Sequence, residues 1–347
     1  MLKFVLKTLR ISDWWNYIFP PILGVIYLII LHDNCEFGDI WLQLVLFFIS
    51  FVFTASFGFY FNDVCDINVD KKAGKRNFAA DLSNPLRYSL LFILIIIAIL
   101  PWFFLNNTHN VKYIFLLQVI LLFLYSFPYT RFKDKYLLGI VSDALYSSLL
   151  PSIIAILLFF ENWQSFKIVL FIIYLGILFL RGLRNILIHQ IFDMQNDSAA
   201  KINTFVIKFG KSFSIKLIKI SVICEVLSFL LPIFIIPVPF VHYYLYLLLF
   251  SVIYYMFKLL DKKNKEKNTL HKIQFVNDIY EDIIPLFLLI LLTINDYRFG
   301  VILVLHVLLF NNKVVRFIIL TLFVTLLYGI VFRKTCGIIN RVFKTNF

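Results

Sequence analysis

Long apolar stretches alternate with short polar breaks along almost the whole chain. Runs over 17–31, 40–61, 86–105, 111–127, 137–160, 166–188, 213–236, 240–257 and 315–332 approach or exceed the ~18–20 residues needed to cross a ~30 Å hydrocarbon core. Residues 283–310 are also apolar, although Asn295, Asp296 and Arg298 interrupt them. That stretch reads as one tilted span or two short ones, and an even span count favours a single crossing. The pattern predicts an all-α polytopic bundle of about nine to ten transmembrane helices. Its Val-, Ile- and Phe-rich runs are too long for strands and fit membrane spans.

Composition agrees. The 347 residues are 61% hydrophobic, and mean hydropathy is +0.88, well above a soluble domain. The net charge of +13 would suggest nucleic acid in a soluble chain. Here the bases fall in alternate loops. Lys3, Lys7 and Arg10 precede the first span, and the next loop holds only Asp33, Glu36 and Asp39. Lys71, Lys72, Lys75 and Arg76 follow span two, Arg131, Lys133 and Lys135 span four, and Lys201, Lys208 and Lys211 span six. Such alternation orients a membrane protein and places these loops in the cytoplasm. The basic start reads as an uncleaved anchor. A composition rich in Phe, Ile, Lys and Asn points to a bacterial inner membrane. Cys35, Cys65, Cys224 and Cys336 are scattered and suggest neither a disulfide frame nor a zinc site.

The candidate chemistry lies in two acidic clusters after spans two and six. The first reads Asn62-Asp63-Val64-Cys65-Asp66-Ile67-Asn68-Val69-Asp70, the second His189-Gln190-Ile191-Phe192-Asp193-Met194-Gln195-Asn196-Asp197. Superposed, Asp66 falls on Asp193, Asp70 on Asp197 and Phe78 on Phe205, while Gln190 replaces Asp63. Spacings of three and four residues put each set on one helical face. Carboxylates are costly near a bilayer, so a repeated set suggests function rather than solvation. Mg²⁺ binds through one or two carboxylates plus waters and substrate phosphates. Interleaved bases suit an anionic ligand. Together these features suggest a two-sided divalent-metal site for a diphosphate. The chain is expected to be one bundle over 1–347, with parallel repeats over 11–135 and 136–260 and additional helices over 282–347.

Other polar residues have more than one reading. His189 shares a face with Asp193 and suits a proton or acceptor contact, or a hydrogen bond to Asp193. Arg184 lies deeper in span six and suits a ligand or an acid. Asp143, inside span five, is a candidate partner for Arg184 or for an acceptor. Asn277-Asp278-x-x-Glu281-Asp282 reads as a helix N-terminus, where acids favour the dipole. Some of the 41 Phe residues are candidates to line a cavity and stabilise a cation.

Asn62-Asp63-x-x-Asp66-x-x-x-Asp70 resembles the first signature of the UbiA superfamily of intramembrane prenyltransferases, and Asp193-x-x-x-Asp197 resembles the second. Tyr129-x-x-x-Lys133 is similar to the motif between them. The resemblance covers about residues 11–213. It implies a bundle of about nine helices around a cavity open sideways to lipid. It also implies Mg²⁺ held by Asp66, Asp70, Asp193 and Asp197, with Asn62 and Asp63 as further ligands or their partners. Lys75, Arg76, Arg131, Lys133 and Lys201 would grip a prenyl diphosphate, with Tyr129 and Arg184 as further substrate contacts. The implied reaction is prenyl transfer to a lipophilic, aromatic or other, acceptor. Three departures from the family pattern are Asn77 where a Pro often follows Arg76, Lys201 where Gly is common, and His189-Gln190 in place of a more usual acidic or apolar pair. Alternative functions are phosphoribosyl transfer to a polyprenyl phosphate on the same fold, and cation-coupled transport. Transporters place their sites near the bilayer midplane, whereas these acids sit at helix ends.

Overall fold

The computed structural model describes residues 7–33, 35–105, 109–159, 165–199, 202–235, 238–260, 269–310, 313 and 315. All but the first residue of the expected span over 315–332 lies outside the described residues, as do Lys201 and residues 261–268. Among the described residues there is no strand. The principal helices are α1 (Ile11–Asp33), α2 (Phe37–Lys72), α3 (Asn84–Ile99), α4 (His109–Ser126), α5 (Tyr136–Phe159) and α6 (Ser165–Ala199). They continue with the short α7 (Phe205–Phe209), α8 (Lys211–Leu230), α9 (Val238–Leu260), the short α10 (Thr269–Gln274), α11 (Ile284–Asn295) and α12 (Gly300–Leu309). Seven helices among the described residues are long and apolar enough to cross a membrane, and residues 111–126 and 297–309 add shorter apolar helices. The protein is a polytopic helical membrane protein.

Apolar side chains at helical spacing decide which helix lies where. α1 carries Trp14, Phe19, Val25, Ile26, Ile29 and Ile30 into the largest core cluster. Burial on several sides marks it as a central helix. α3, α8 and α9 instead leave Phe92, Ile223, Leu227, Tyr246 and Val252 exposed, as hydrocarbon-facing surfaces require.

α2 and α6 have 36 and 35 residues. At about 1.5 Å per residue each is over 50 Å long, against a ~30 Å hydrocarbon core. The predicted spans ended at Phe61 and Ile188, but both helices run on through the acidic clusters. The extra turns carry the carboxylates beyond the apolar part of each helix.

Residues 283–310 do not form one crossing. α11 and α12 are separate helices joined by a tight turn over Tyr297–Phe299. Asp296 turns the chain, accepting from the Arg298 backbone N–H at 3.0 Å. Trp15 Nε1 donates to the Leu309 carbonyl at 2.7 Å, Tyr27 meets His306 at 3.2 Å, and Arg298 reaches Glu36 at 3.4 Å. α12 therefore runs antiparallel to α1. The chain leaves at Asp282 and is back beside it at Lys313, whose N–H donates to Asp282 Oδ2 at 3.3 Å.

Candidate active site

The extended ends of α2 and α6 face one another across a cavity of about 1000 Å³. Asn62, Asp63, Asp66 and Asp70 line it from α2, and His189, Gln190, Asp193 and Asp197 from α6. Each motif is followed by a chain reversal and a short helix, a 3₁₀ turn starting at Phe78 and α7 starting at Phe205. The first of these reversals brings a base back over the acids. Just past the end of α2, Gly74 takes a φ of +68°, which only glycine adopts without strain. The turn sends Lys75 across to α6, where Nζ donates to Asp193 Oδ2 at 3.1 Å. One base thus ties the first motif to the second.

The loop after α4 supplies two more cations. Arg131 adopts φ +36°, uncommon for a residue with a side chain. Its Nη1 donates to Asp66 Oδ1 at 3.1 Å and its Nε to Asp134 at 2.7 Å. Lys133 bonds the other Asp66 oxygen and also Asn62 Oδ1, the latter at 2.8 Å. Burial lowers the Lys133 pKa from its ordinary value, against the pull of Asp66. For Arg131, burial works against the charge, but Asp134 and Asp66 raise its pKa. Gly139 lets this loop lie against α5, because a Cβ there would come within 2.9 Å of the Phe132 and Lys133 carbonyl oxygens.

Other expected contacts fall differently. Arg76 stands at the rim, 4.6 Å from the Phe78 ring, and is mostly exposed. His189 comes only to 4.0 Å from Asp193. Tyr129 is 90% exposed and outside the cavity lining. Arg184 is also outside the lining and fully buried. It makes a two-pronged pair with Glu225 on α8, at 2.7 and 3.0 Å, and bonds Asn277 at 2.7 Å. Arg184 therefore pairs with Glu225 and not with Asp143, whose carboxylate accepts from Tyr146 at 2.7 Å. The group at 277–282 is not a solvated dipole partner either. Asn277 binds Arg184, Glu281 binds Arg181 at 2.7 Å, and Asp278 binds Lys258 and Lys313, the latter at 2.7 Å.

Two site residues escaped the sequence reading. Asn77 donates through Nδ2 to Asp70 Oδ2 and to the Asp63 carbonyl, both at 2.8 Å. Its Oδ1 accepts from the Ala79 and Ala80 N–H groups. Arg10, at φ +51°, donates to Asp63 at 3.2 Å. Asn77 was visible only as a missing proline, and Arg10 only as one more orienting base.

The carboxylate oxygens of Asp66, Asp70, Asp193 and Asp197 suit a hard cation. Among the described residues no three His, Cys, Asp or Glu side chains converge into a closed metal cage. Mg²⁺ takes one or two carboxylates and completes its shell with water and phosphate. Asp66, Asp70, Asp193 and Asp197 are the residues that would hold it.

Fold and site thus define a multi-pass integral membrane protein with opposed carboxylate motifs over an intramembrane cavity. The model of the UbiA prenyltransferase family matches residues 19–278, and the chain belongs to that family. It is similar in structure to a UbiA homologue from Archaeoglobus fulgidus bound to GPP and Mg²⁺. The TM-score is 0.58 at 16% identity, covering 84% of this chain and 99% of that one. It is also similar to a digeranylgeranylglyceryl phosphate synthase, with TM-score 0.52 at 22% identity and coverage of 83% and 96%. An apo UbiA homologue from Aeropyrum pernix K1 gives TM-score 0.53 at 13% identity, covering 80% and 97%. At these identities the likeness establishes the fold. No curated protein matches the chain in sequence.

Proposed function

We propose that the protein is a Mg²⁺-dependent prenyltransferase that moves a prenyl group from its diphosphate to a lipophilic acceptor, with both motifs at the cytoplasmic face. The observation that carries this reading is that Asp66, Asp70, Asp193 and Asp197 line one cavity, with Lys75, Arg131 and Lys133 bonded to their carboxylates. Acids without bases would suit a bare cation; acids interleaved with bases suit a metal and a polyphosphate together. The relatives bound to GPP or DMAPP with Mg²⁺ support the donor class. The volume is at the top of the ~300–1,000 Å³ range usual for ligand pockets, enough for a donor and an acceptor.

In this reading the bound Mg²⁺ neutralises charge on the leaving diphosphate. The chain's own cations do the same work from fixed positions. Lys75, Arg131 and Lys133 already stand where the diphosphate would lie, beside the motif carboxylates. Charges held ready in a water-poor site need little reorganisation, which makes them effective there. Trp14, Phe51, Phe59 and Leu122 make the lining beneath apolar, suited to the isoprenoid chain. The aromatic faces favour positive charge developing on the allyl carbon.

The test is Mg²⁺-dependent diphosphate release from geranyl, farnesyl and geranylgeranyl diphosphates by purified protein with a native lipid extract. Asp66→Ala and Asp193→Ala should each lower release at least 100-fold while the protein stays helical and monodisperse. Full activity in both variants overturns the assignment of these carboxylates. No release from any prenyl donor moves phosphoribosyl diphosphate to first place as donor.

A further inference from the structure

Below the acid motifs the cavity has a second polar region that diphosphate binding does not use. Asp143 on α5 lines it together with Gln118, Tyr125, Tyr146 and Ser147. Three features set this region apart from ordinary helix packing.

First, Asp143 has no cationic partner among the described residues. One oxygen accepts from Tyr146 at 2.7 Å, and its other oxygen has no hydrogen-bond partner among the described residues. A carboxylate within a membrane helix is expensive, and its usual compensation is a paired base. Asp63, Asp66, Asp70 and Asp193, which also line the cavity, each bond a base or an amide. Second, α5 is not regular here. Immediately after Asp143 and Ala144 it widens into a π-helical turn over Leu145–Leu149. Such turns cost helix regularity and are frequent at functional sites. This one brings the consecutive residues Tyr146, Ser147 and Ser148 to the cavity wall, which a straight α-helix would spread around its circumference. Third, Gln118 is 3% exposed and its Oε1 has no partner, while its Nε2 donates to the Tyr146 carbonyl at 3.1 Å. A buried amide oxygen left unpaired costs about 1–3 kcal/mol, so it marks a place where a donor group belongs.

The region adjoins the site of bond breaking. The Tyr146 ring packs edge-on against Tyr125, with centroids 5.2 Å apart. The next residue, Ser126, donates to Asn62 at 2.9 Å, and Asn62 accepts from Lys133, which holds Asp66. A chain of contacts therefore runs from the first acidic motif to Asp143, placing the unpaired carboxylate beside the cavity's diphosphate end.

We propose that the Asp143–Tyr146–Gln118 cluster is the acceptor subsite, and that it takes the hydroxyl group of a lipophilic alcohol or phenol. This inference rests on the prenyltransferase reading. The acceptor O–H donates to the free Asp143 oxygen. As the C1–O bond to diphosphate breaks, the electron pair leaves with the diphosphate. The acceptor oxygen forms the new bond to C1 and its proton passes to Asp143. Tyr146 holds the carboxylate in place, and Gln118 Oε1 accepts from a second hydroxyl where the acceptor has one. The unpaired Asp143 oxygen at the cavity wall selects a ligand with an O–H donor over an ether or hydrocarbon of the same shape.

The experiment uses the purified full-length protein with labelled farnesyl diphosphate, Mg²⁺ and a native lipid extract, half of it acetylated to block free hydroxyls. Wild type should label a lipid in the untreated half and lose at least nine-tenths of that transfer in the acetylated half. Asp143→Asn, which keeps the shape and removes the base, should reduce transfer at least 50-fold. Its affinity for a thiolo analogue of farnesyl diphosphate should stay within two-fold. Tyr146→Phe should reduce transfer about five- to ten-fold, and this second variant guards against misfolding of the first. Undiminished transfer in Asp143→Asn, or transfer indifferent to acetylation, overturns the subsite. So does release of diphosphate by wild type without labelling any lipid. Failure of wild type to bind the thiolo analogue or release diphosphate overturns the prenyltransferase reading itself, and the subsite with it.

Discussion

At the scale of single residues, the interior polar groups divide into those that hold the bundle and those that face the cavity. Arg184 belongs to the first group. It and Glu225 are both 0% exposed, and two hydrogen bonds join them. Removing one member leaves the other charged, buried and unpaired, a loss of about 3–5 kcal/mol. Glu225→Ala should therefore lower the unfolding temperature in detergent markedly. The double replacement Arg184→Met with Glu225→Leu should recover most of the loss, because two apolar side chains need no partner. An unchanged melting temperature in Glu225→Ala would show that the pair holds nothing. The sequence made Arg184 conspicuous as a charge inside a span but left its partner open. Glu225 lies 41 residues away on another helix, and no local spacing connects them. The metal-type acids were legible because their geometry is local: four residues apart on a helix means one face, whatever packs nearby. Asn77 and Arg10 were not legible, since their roles come from a chain reversal and a positive φ that bring them onto Asp70 and Asp63.

At the scale of elements, the site depends on how closely the loop after α4 can lie on α5. Gly139 is the contact that permits it. Its missing Cβ leaves room for two carbonyl oxygens that would otherwise stand at 2.9 Å. These are backbone atoms, so Gly139→Ala cannot be absorbed by a side chain swinging aside. The loop must shift, and Lys133 moves off Asp66 with it. A misplacement of about 1 Å can cost on the order of 100-fold. Gly139→Ala should accordingly lower kcat/KM ten- to a hundred-fold with helix content unchanged by circular dichroism. Wild-type kcat/KM in this variant would show that the loop's position is not critical. Hydropathy predicted the existence of the helices well, because burial in lipid demands long apolar runs. It did not predict how α2 and α6 extend beyond their apolar runs, where the sequence turns polar but the helix does not stop. It also left open whether 283–310 is one span or two. A hydropathy window reads Asn295, Asp296 and Arg298 as an interruption, while the structure uses Asp296 and Arg298 as a turn.

At the scale of the whole molecule, the protein's own cations neutralise its acids across the cavity. Lys75 spans from the end of α2 to α6, and Arg131 and Lys133 span from the loop after α4 to α2. The bundle is therefore closed around the site by ion pairs that need no bound ligand. Chelation should then leave the fold intact. With EDTA the melting temperature should stay within about 2 °C of its value without added metal. Ligands that bind only the folded state raise stability by RT ln(1 + [L]/Kd), about 2.7 kcal/mol at a hundred-fold excess over Kd. A prenyl diphosphate added alone meets carboxylates as well as bases, and Mg²⁺ added alone competes with the lysines for the acids. Each should shift the melting temperature little. Added together they satisfy both sets of charges, so their joint shift should exceed the sum of the separate shifts by several degrees. Thermal unfolding in detergent across those four conditions checks this. Unfolding by EDTA would mean that the acids cannot be held by the chain's own bases. Strictly additive shifts would mean that metal and diphosphate occupy the protein independently, which two facing carboxylate motifs in one shared cavity do not allow.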